Sequence, residues 1–88
     1  MDTLLVTYDL KMPGQDYSDF HKIIKIYPNV RLSESSYAIH THESPADVYN
    51  MLTPHMDQND QLYIITLTKP YYGVGPKFIN DWLSELLT

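Results

Sequence analysis

The chain has no cysteine. That excludes a disulfide framework, a thiolate metal site, an iron–sulfur cluster and a cysteine nucleophile. Positive charge is scarce as well: 6 Lys and Arg stand against 11 Asp and Glu, for a formal net charge of −5. Strong, sequence-independent nucleic-acid affinity comes from neutralising phosphates with Lys and Arg, so this balance argues against it. No run approaches the roughly 18 apolar residues of a membrane span. The start, Met1-Asp2-Thr3-Leu4-Leu5-Val6, has no basic segment and no long apolar stretch, unlike a signal peptide. The expectation is a cytoplasmic protein with no membrane contact.

What is present fits one small folded domain over residues 1–88, with 43% hydrophobic and 19% charged residues. A domain of this size buries only about 60% of the surface its unfolded chain exposes. The core is therefore thin, and a second copy is an expected source of further burial. Charge is uneven along the chain. Lys11, Lys22, Lys25 and Arg31 match four acids in the first third, whereas from Leu32 onward two lysines face seven acids. A polyanion contact would have to use the first third.

Leu4 to Tyr8 is a β-rich run ending at Asp9, and Met12-Pro13-Gly14-Gln15 breaks it. Asp16 suits a helix N-cap, and Tyr17, Phe20, Ile23, Ile24 and Tyr27 then recur at helical spacing until Pro28. Asn29 to Leu32 reads as a second strand. Ser35 to His42 reads as a third, with Tyr37, Ile39 and Thr41 alternating against Ala38, His40 and His42. Ser44-Pro45-Ala46-Asp47 is a helix start with a hydroxyl cap, and Val48, Met51 and Leu52 form its apolar stripe. Leu62 to Leu67 looks like a buried strand. Pro70 to Pro76 reads as a flexible linker before an amphipathic helix carrying Phe78, Ile79, Trp82, Leu83, Leu86 and Leu87. The order β-α-β-β-α-β plus a terminal helix predicts an α+β, ferredoxin-like sandwich with helices on one face of an antiparallel sheet. Trp82 is then either a lid on the sheet or an anchor across an interface.

Among single residues, Asp9 has the chemistry to hold Mg²⁺, which takes oxygen ligands and often only one or two carboxylates plus phosphate. The plainer role is a loop cap. His40 and His42 form a His-x-His pair and His55 follows in a loop, but no third zinc ligand stands at fixed spacing. Ser35 and Ser36 have no local base, which favours a strand-opening hydrogen bond over nucleophilic attack. Tyr8 and Tyr37 suit base stacking and equally suit an ordinary strand. Gly73-Val74-Gly75-Pro76 lacks the ending of a phosphate loop. Arg31 has two readings, a phosphate clamp or a surface pair with Glu34, and the pair is preferred.

Three segments occur in an order that resembles a known family. Val6-Thr7-Tyr8-Asp9-Leu10 resembles the first-strand motif of the CRISPR adaptation protein Cas-two, and the virulence-associated endoribonuclease D family is similar there. Ser33-Glu34-Ser35-Ser36-Tyr37-Ala38 looks like their Ser-x-aromatic segment, and Asp60 to Leu67 like their Asp-led fourth strand. The resemblance spans roughly residues 4–67. It implies a homodimer and, as in some members, metal-dependent cleavage of RNA or DNA. Asp9 from both subunits would hold Mg²⁺ or Mn²⁺ with Ser35 nearby. Lys11, Lys22, Lys25 and Arg31 would meet phosphates, and Tyr37 lies in the second motif. Two departures stand out. Family members carry arginines after the first strand, where this chain has Lys11-Met12-Pro13-Gly14, and many add a fifth strand where this chain has a helix. The alternative is a related dimer without catalysis, an adaptor for protein or nucleic acid.

Overall fold

A computed structural model describes residues 1–88. Strand β1 (Asp2–Asp9) leads to helix α1 (Ser18–Ile26), strands β2 (Asn29–Ser33) and β3 (Ser36–Thr41), helix α2 (Pro45–Leu52), strand β4 (Gln61–Leu67) and helix α3 (Lys77–Leu86). The turn after β1 is set by its sequence. Gln15 N–H donates to Met12 C=O at 3.2 Å across Pro13-Gly14, and Gly14 has φ +83°. Proline fixes the first turn angle and glycine takes the left-handed one without strain. Asp16 accepts from Ser18 N–H at 2.9 Å and serves the start of α1, but the N-cap position falls on Tyr17 and not on Asp16 as expected. The α2 start is a complete capping box: Ser44 Oγ accepts from Asp47 N–H, and the Asp47 carboxylate accepts from Ser44 N–H.

The four strands form one antiparallel sheet in the order β2-β3-β1-β4. Strands joined through a helix, β1 with β2 and β3 with β4, are each separated by one strand of the other pair. The inner face collects Leu4, Val6 and Tyr8 of β1 with Tyr37 and Ile39 of β3, against Phe20 and Ile24 of α1 and Val48 and Leu52 of α2. The Tyr8 and Phe20 rings meet edge to face at 4.9 Å. The outer face carries α3, whose Leu83, with Leu87 just past it, packs on Val30 and Ala38 beside Leu32, Leu67, Ile79 and Trp82. Only 16 of 88 residues are buried, so each layer of side chains is thin. No helix is long and apolar enough to cross a membrane.

Three further expectations change, and Trp82 falls to the first of its two readings. Helices lie on both faces of the sheet, which is why Ala38, on the face opposite Tyr37 and Ile39, is as buried as they are. Trp82 is part of that outer lid. Strand β4 is an edge, not a buried strand: Tyr63 is 61% and Ile65 49% exposed. Met51 is 40% exposed and sits outside the core, its sulfur 3.3 Å from the Tyr27 hydroxyl. Both layers are testable by chemical denaturation. Phe20→Ala, at a fully buried site, should cost about 3–5 kcal/mol, and Leu83→Ala about 2–5 kcal/mol. A near-zero loss at Leu83 would mean that α3 does not cover the sheet in solution.

Candidate functional site

Sequence alternation places Asp9 on the outer face at the end of β1. Its carboxylate is exposed, with Lys11 Nζ 3.7 Å away. An exposed pair of this kind contributes at most about 1 kcal/mol, so the carboxylate stays free to bind. Tyr8 N–H donates to Ser35 C=O at 3.0 Å, which brings the β2–β3 turn beside the end of β1. Asp9 and Lys11 thus lie at the sheet end where the backbone of the Ser35 turn is bonded to β1. The other expected contacts do not join them. Lys22 and Lys25 are exposed on α1, in the layer behind the inner face. Arg31 donates from Nε to Ser33 C=O at 3.1 Å and from Nη2 to Glu34 C=O at 2.9 Å. It therefore pins the turn through backbone carbonyls, in place of the expected pair with the Glu34 carboxylate. Tyr37 is only 4% exposed and carries the Arg31 guanidinium 5.7 Å over its ring, so it offers no open face to a base.

Asp60 organises this end of the molecule. One carboxylate oxygen accepts from Lys11 N–H at 2.7 Å. The other accepts from the Tyr17 hydroxyl at 2.8 Å and from Asp57 N–H at 2.9 Å. Met12 N–H in turn donates to the Tyr17 hydroxyl at 3.3 Å. One side chain thereby ties the loop after β1 to the loop before β4 and to the first turn of α1. Burial works against its charge, yet the donors from Lys11, Asp57 and Tyr17 and the positive Lys11 outweigh it and hold the carboxyl below its ordinary value. The sequence marks Asp60 only as a strand opener; a carboxylate reaching back to a loop some fifty residues earlier leaves no local pattern.

The histidines are dispersed. His40 Nδ1 lies 3.1 Å from Thr3 Oγ1 under α3, while His42 is exposed beyond β3. His21 packs edge to face against Tyr8 and Phe20. Burial, with positive Lys25 and Arg31, lowers its pKa and keeps the ring neutral at pH 7. The Tyr27 hydroxyl donates to Glu43 at 3.0 Å, and burial together with that bond pushes its pKa up to about 12. No group of three His, Asp or Glu side chains comes together in one chain in a way that would hold a metal ion. For Asp9 the fit is partial: one exposed carboxylate per chain needs a second carboxylate or phosphate oxygens to complete an Mg²⁺ shell.

Helix α3 covers β2, β3 and the Thr3–Leu67 end of the β1–β4 pair, and leaves the other end of that pair open on the outer face. Leu5, Thr7, Ser36, Tyr63 and Ile65 are left half-buried or exposed beside Asp9. On the other side of β4 a groove of about 510 Å³ runs between Tyr49, Met56, Asp60, Leu62 and Tyr63. A second, of about 300 Å³, lies between α3 and the loop after β4. That loop is not a free linker, because the Tyr71 hydroxyl sits 3.2 Å from Asn80 C=O and 3.1 Å from Ser84 Oγ.

The Asp60 tie sets an acid dependence. A carboxyl whose folded pKa lies below its unfolded value of about 4 stabilises the fold above that pH, and the gain is lost as pH falls through the folded pKa. Asp16, lowered chiefly by the Ser18 N–H, adds to the same window. Thermal melts from pH 7 to pH 3 should show the wild type losing stability below about pH 4. Asp60→Asn should start lower at pH 7 and fall less steeply, and equal slopes would remove the tie from the account. No protein-family model, curated protein or solved structure matches the chain, so its own residues carry the functional reading.

Proposed function

We propose that the chain is a cytoplasmic, Cas-two-like homodimer with a ferredoxin-like core that acts by binding, as an adaptor for protein or nucleic acid. The observation that carries this reading is the half-bare outer face. Leu5, Tyr63 and Ile65 form an apolar strip beside Asp9 that α3 leaves open, on a domain with little core of its own. Such a strip on a small soluble domain marks an interaction site. The strand order β2-β3-β1-β4 and the two split strand–helix–strand units support the ferredoxin-like assignment. The acidic balance, the engaged Arg31 and the buried Tyr37 disfavour a strong grip on phosphates or bases.

A second reading, a metal-dependent phosphodiesterase on RNA or DNA, is favoured by one observation. Asp9 and Lys11 lie at the sheet end where the backbone of the Ser35 turn is bonded to β1, with the Asp9 carboxylate open to solvent. Bound between two Asp9 carboxylates, Mg²⁺ or Mn²⁺ would stabilise phosphate charge and activate water. Asp9 would supply the oxygen ligand, Lys11 a positive charge near it, and the Ser35 turn a wall of the site.

Incubation with labelled single- and double-stranded RNA and DNA separates the two. The binding reading expects no cleavage with Mg²⁺ or Mn²⁺. Cleavage that chelator stops and Asp9→Asn abolishes, with the fold intact, would replace it by the nuclease. Light scattering at micromolar concentration should give a dimer mass, and a monomer there would remove the homodimer.

A further inference from the structure

We infer that β4 is the self-association edge, and that two copies pair their β4 strands antiparallel about a two-fold axis between the two Ile64 residues to make one eight-stranded sheet. The inference rests on the homodimer reading and specifies where and how the copies join.

The two edges of the sheet differ in kind. Edge strand β2 is short, bulges between Arg31 and Ser33, carries Arg31, and lies against α3. Charge, bulges and cover are the devices that keep an edge from pairing with another chain. Edge strand β4 has no charge and no bulge, and α2 packs on its inner face while Tyr63 and Ile65 stay exposed on the outer one. Gln61-Leu62-Tyr63-Ile64-Ile65-Thr66-Leu67 contains no charge, no proline and no glycine, in a chain of net charge −5, and pairs with β1 through every residue without a shift. It is regular in register and largely apolar.

Exposed apolar side chains gather on both sides of this edge. Tyr63 and Ile65 lie on the outer face, and Tyr49, 47% exposed on α2, shares the groove on the inner side with Leu62 and Met56. A foreign strand of arbitrary sequence has no reason to match this pattern, whereas a second β4 does. In an antiparallel pair, directly opposed residues turn their backbone groups either both toward or both away from each other. Symmetric pairing therefore needs the axis to pass between two copies of the same residue. The central residue, Ile64, uses all seven. Tyr63 then stands opposite Ile65 of the second copy, twice, and aromatic–β-branched cross-strand pairs are favourable. The strand is flanked by Asp60 before it and Lys69 after it. Antiparallel pairing sets the acidic end of each copy beside the basic end of the other.

The arrangement has a consequence for Asp9. Asp9 lies opposite Gln61, three residues from the axis. With strand rise near 3.4 Å and strand spacing near 4.8 Å, the two Asp9 residues fall about 25 Å apart. They cannot share one metal ion in this dimer, which sides with the binding reading.

The absence of cysteine makes the test direct. Ile64→Cys places two thiols across the axis, within the Cα separation of about 4.4–6.8 Å that a disulfide needs. It should give a covalent dimer on mild oxidation, whereas Gln61→Cys, about 20 Å from its copy, should not. Ile65→Lys, at an exposed position, should halve the mass in light scattering with an unchanged circular dichroism spectrum. A wild-type dimer that Ile65→Lys leaves intact, with no cross-link at Cys-substituted Ile64, would overturn β4 pairing and leave the homodimer standing. A monomeric wild type would overturn both.

Discussion

Strand β1 is the element on which the rest of the molecule depends. It pairs with β3 through Asp2 to Thr7 and with β4 through Thr3 to Asp9. Its two faces are both in demand: Leu4, Val6 and Tyr8 seat α1 and α2, while Thr3 is buried under α3 with its hydroxyl toward Leu86 C=O. A strand with partners on both edges, a buried inner face and an outer face covered at Thr3 has little freedom to shift register, since a one-residue slip would reverse every side chain. The two strand–helix–strand units are interleaved through it. Its end therefore sits in a fixed place, and the exposed Asp9 carboxylate stands at the end of a strand paired on both edges, with Lys11 Nζ beside it.

The amount of this that can be read from the sequence depends on how local each signal is. The capping box at Ser44 and Asp47, the Pro13-Gly14 turn and the element order all rest on residues within a few positions of each other, and all are in the structure. Features set by packing between distant elements are not legible in the same way. An apolar run such as Leu62 to Leu67 reads the same whether it is central or at an edge, because periodicity says nothing about how many neighbours a strand has. Ala38 is buried only because α3 returns to the outer face, some forty residues later. Of the candidate site, the place of Asp9 and the bonding of the Ser35 turn to β1 follow from sheet register. The hub at Asp60, and the hold of Arg31 on the Ser33 and Glu34 carbonyls beside the Tyr37 ring, come from contacts no motif encodes.

The acidic surplus is also used structurally. Asp16, Asp47 and Asp60 each accept backbone N–H groups at a turn or a helix start, and Glu43 accepts the Tyr27 hydroxyl. In a chain without cysteine these contacts, together with its six prolines, fix the loops. Carboxylates do so because each brings two oxygens that take several donors at once. A share of the net negative charge is thus committed to holding connections.

The chain has one tryptophan, and it lies in the outer layer with Val30, Ala38 and Leu83. The buried tyrosines Tyr8, Tyr27 and Tyr37 all lie on the inner side of the sheet. Indole emission, excited apart from tyrosine, therefore reports the seating of α3 alone, while the near-ultraviolet dichroism of the buried phenols reports the packing of α1 and α2. The molecule carries a separate optical reporter on each side of its sheet, so loss of one layer ahead of the other would register as two signals that part company.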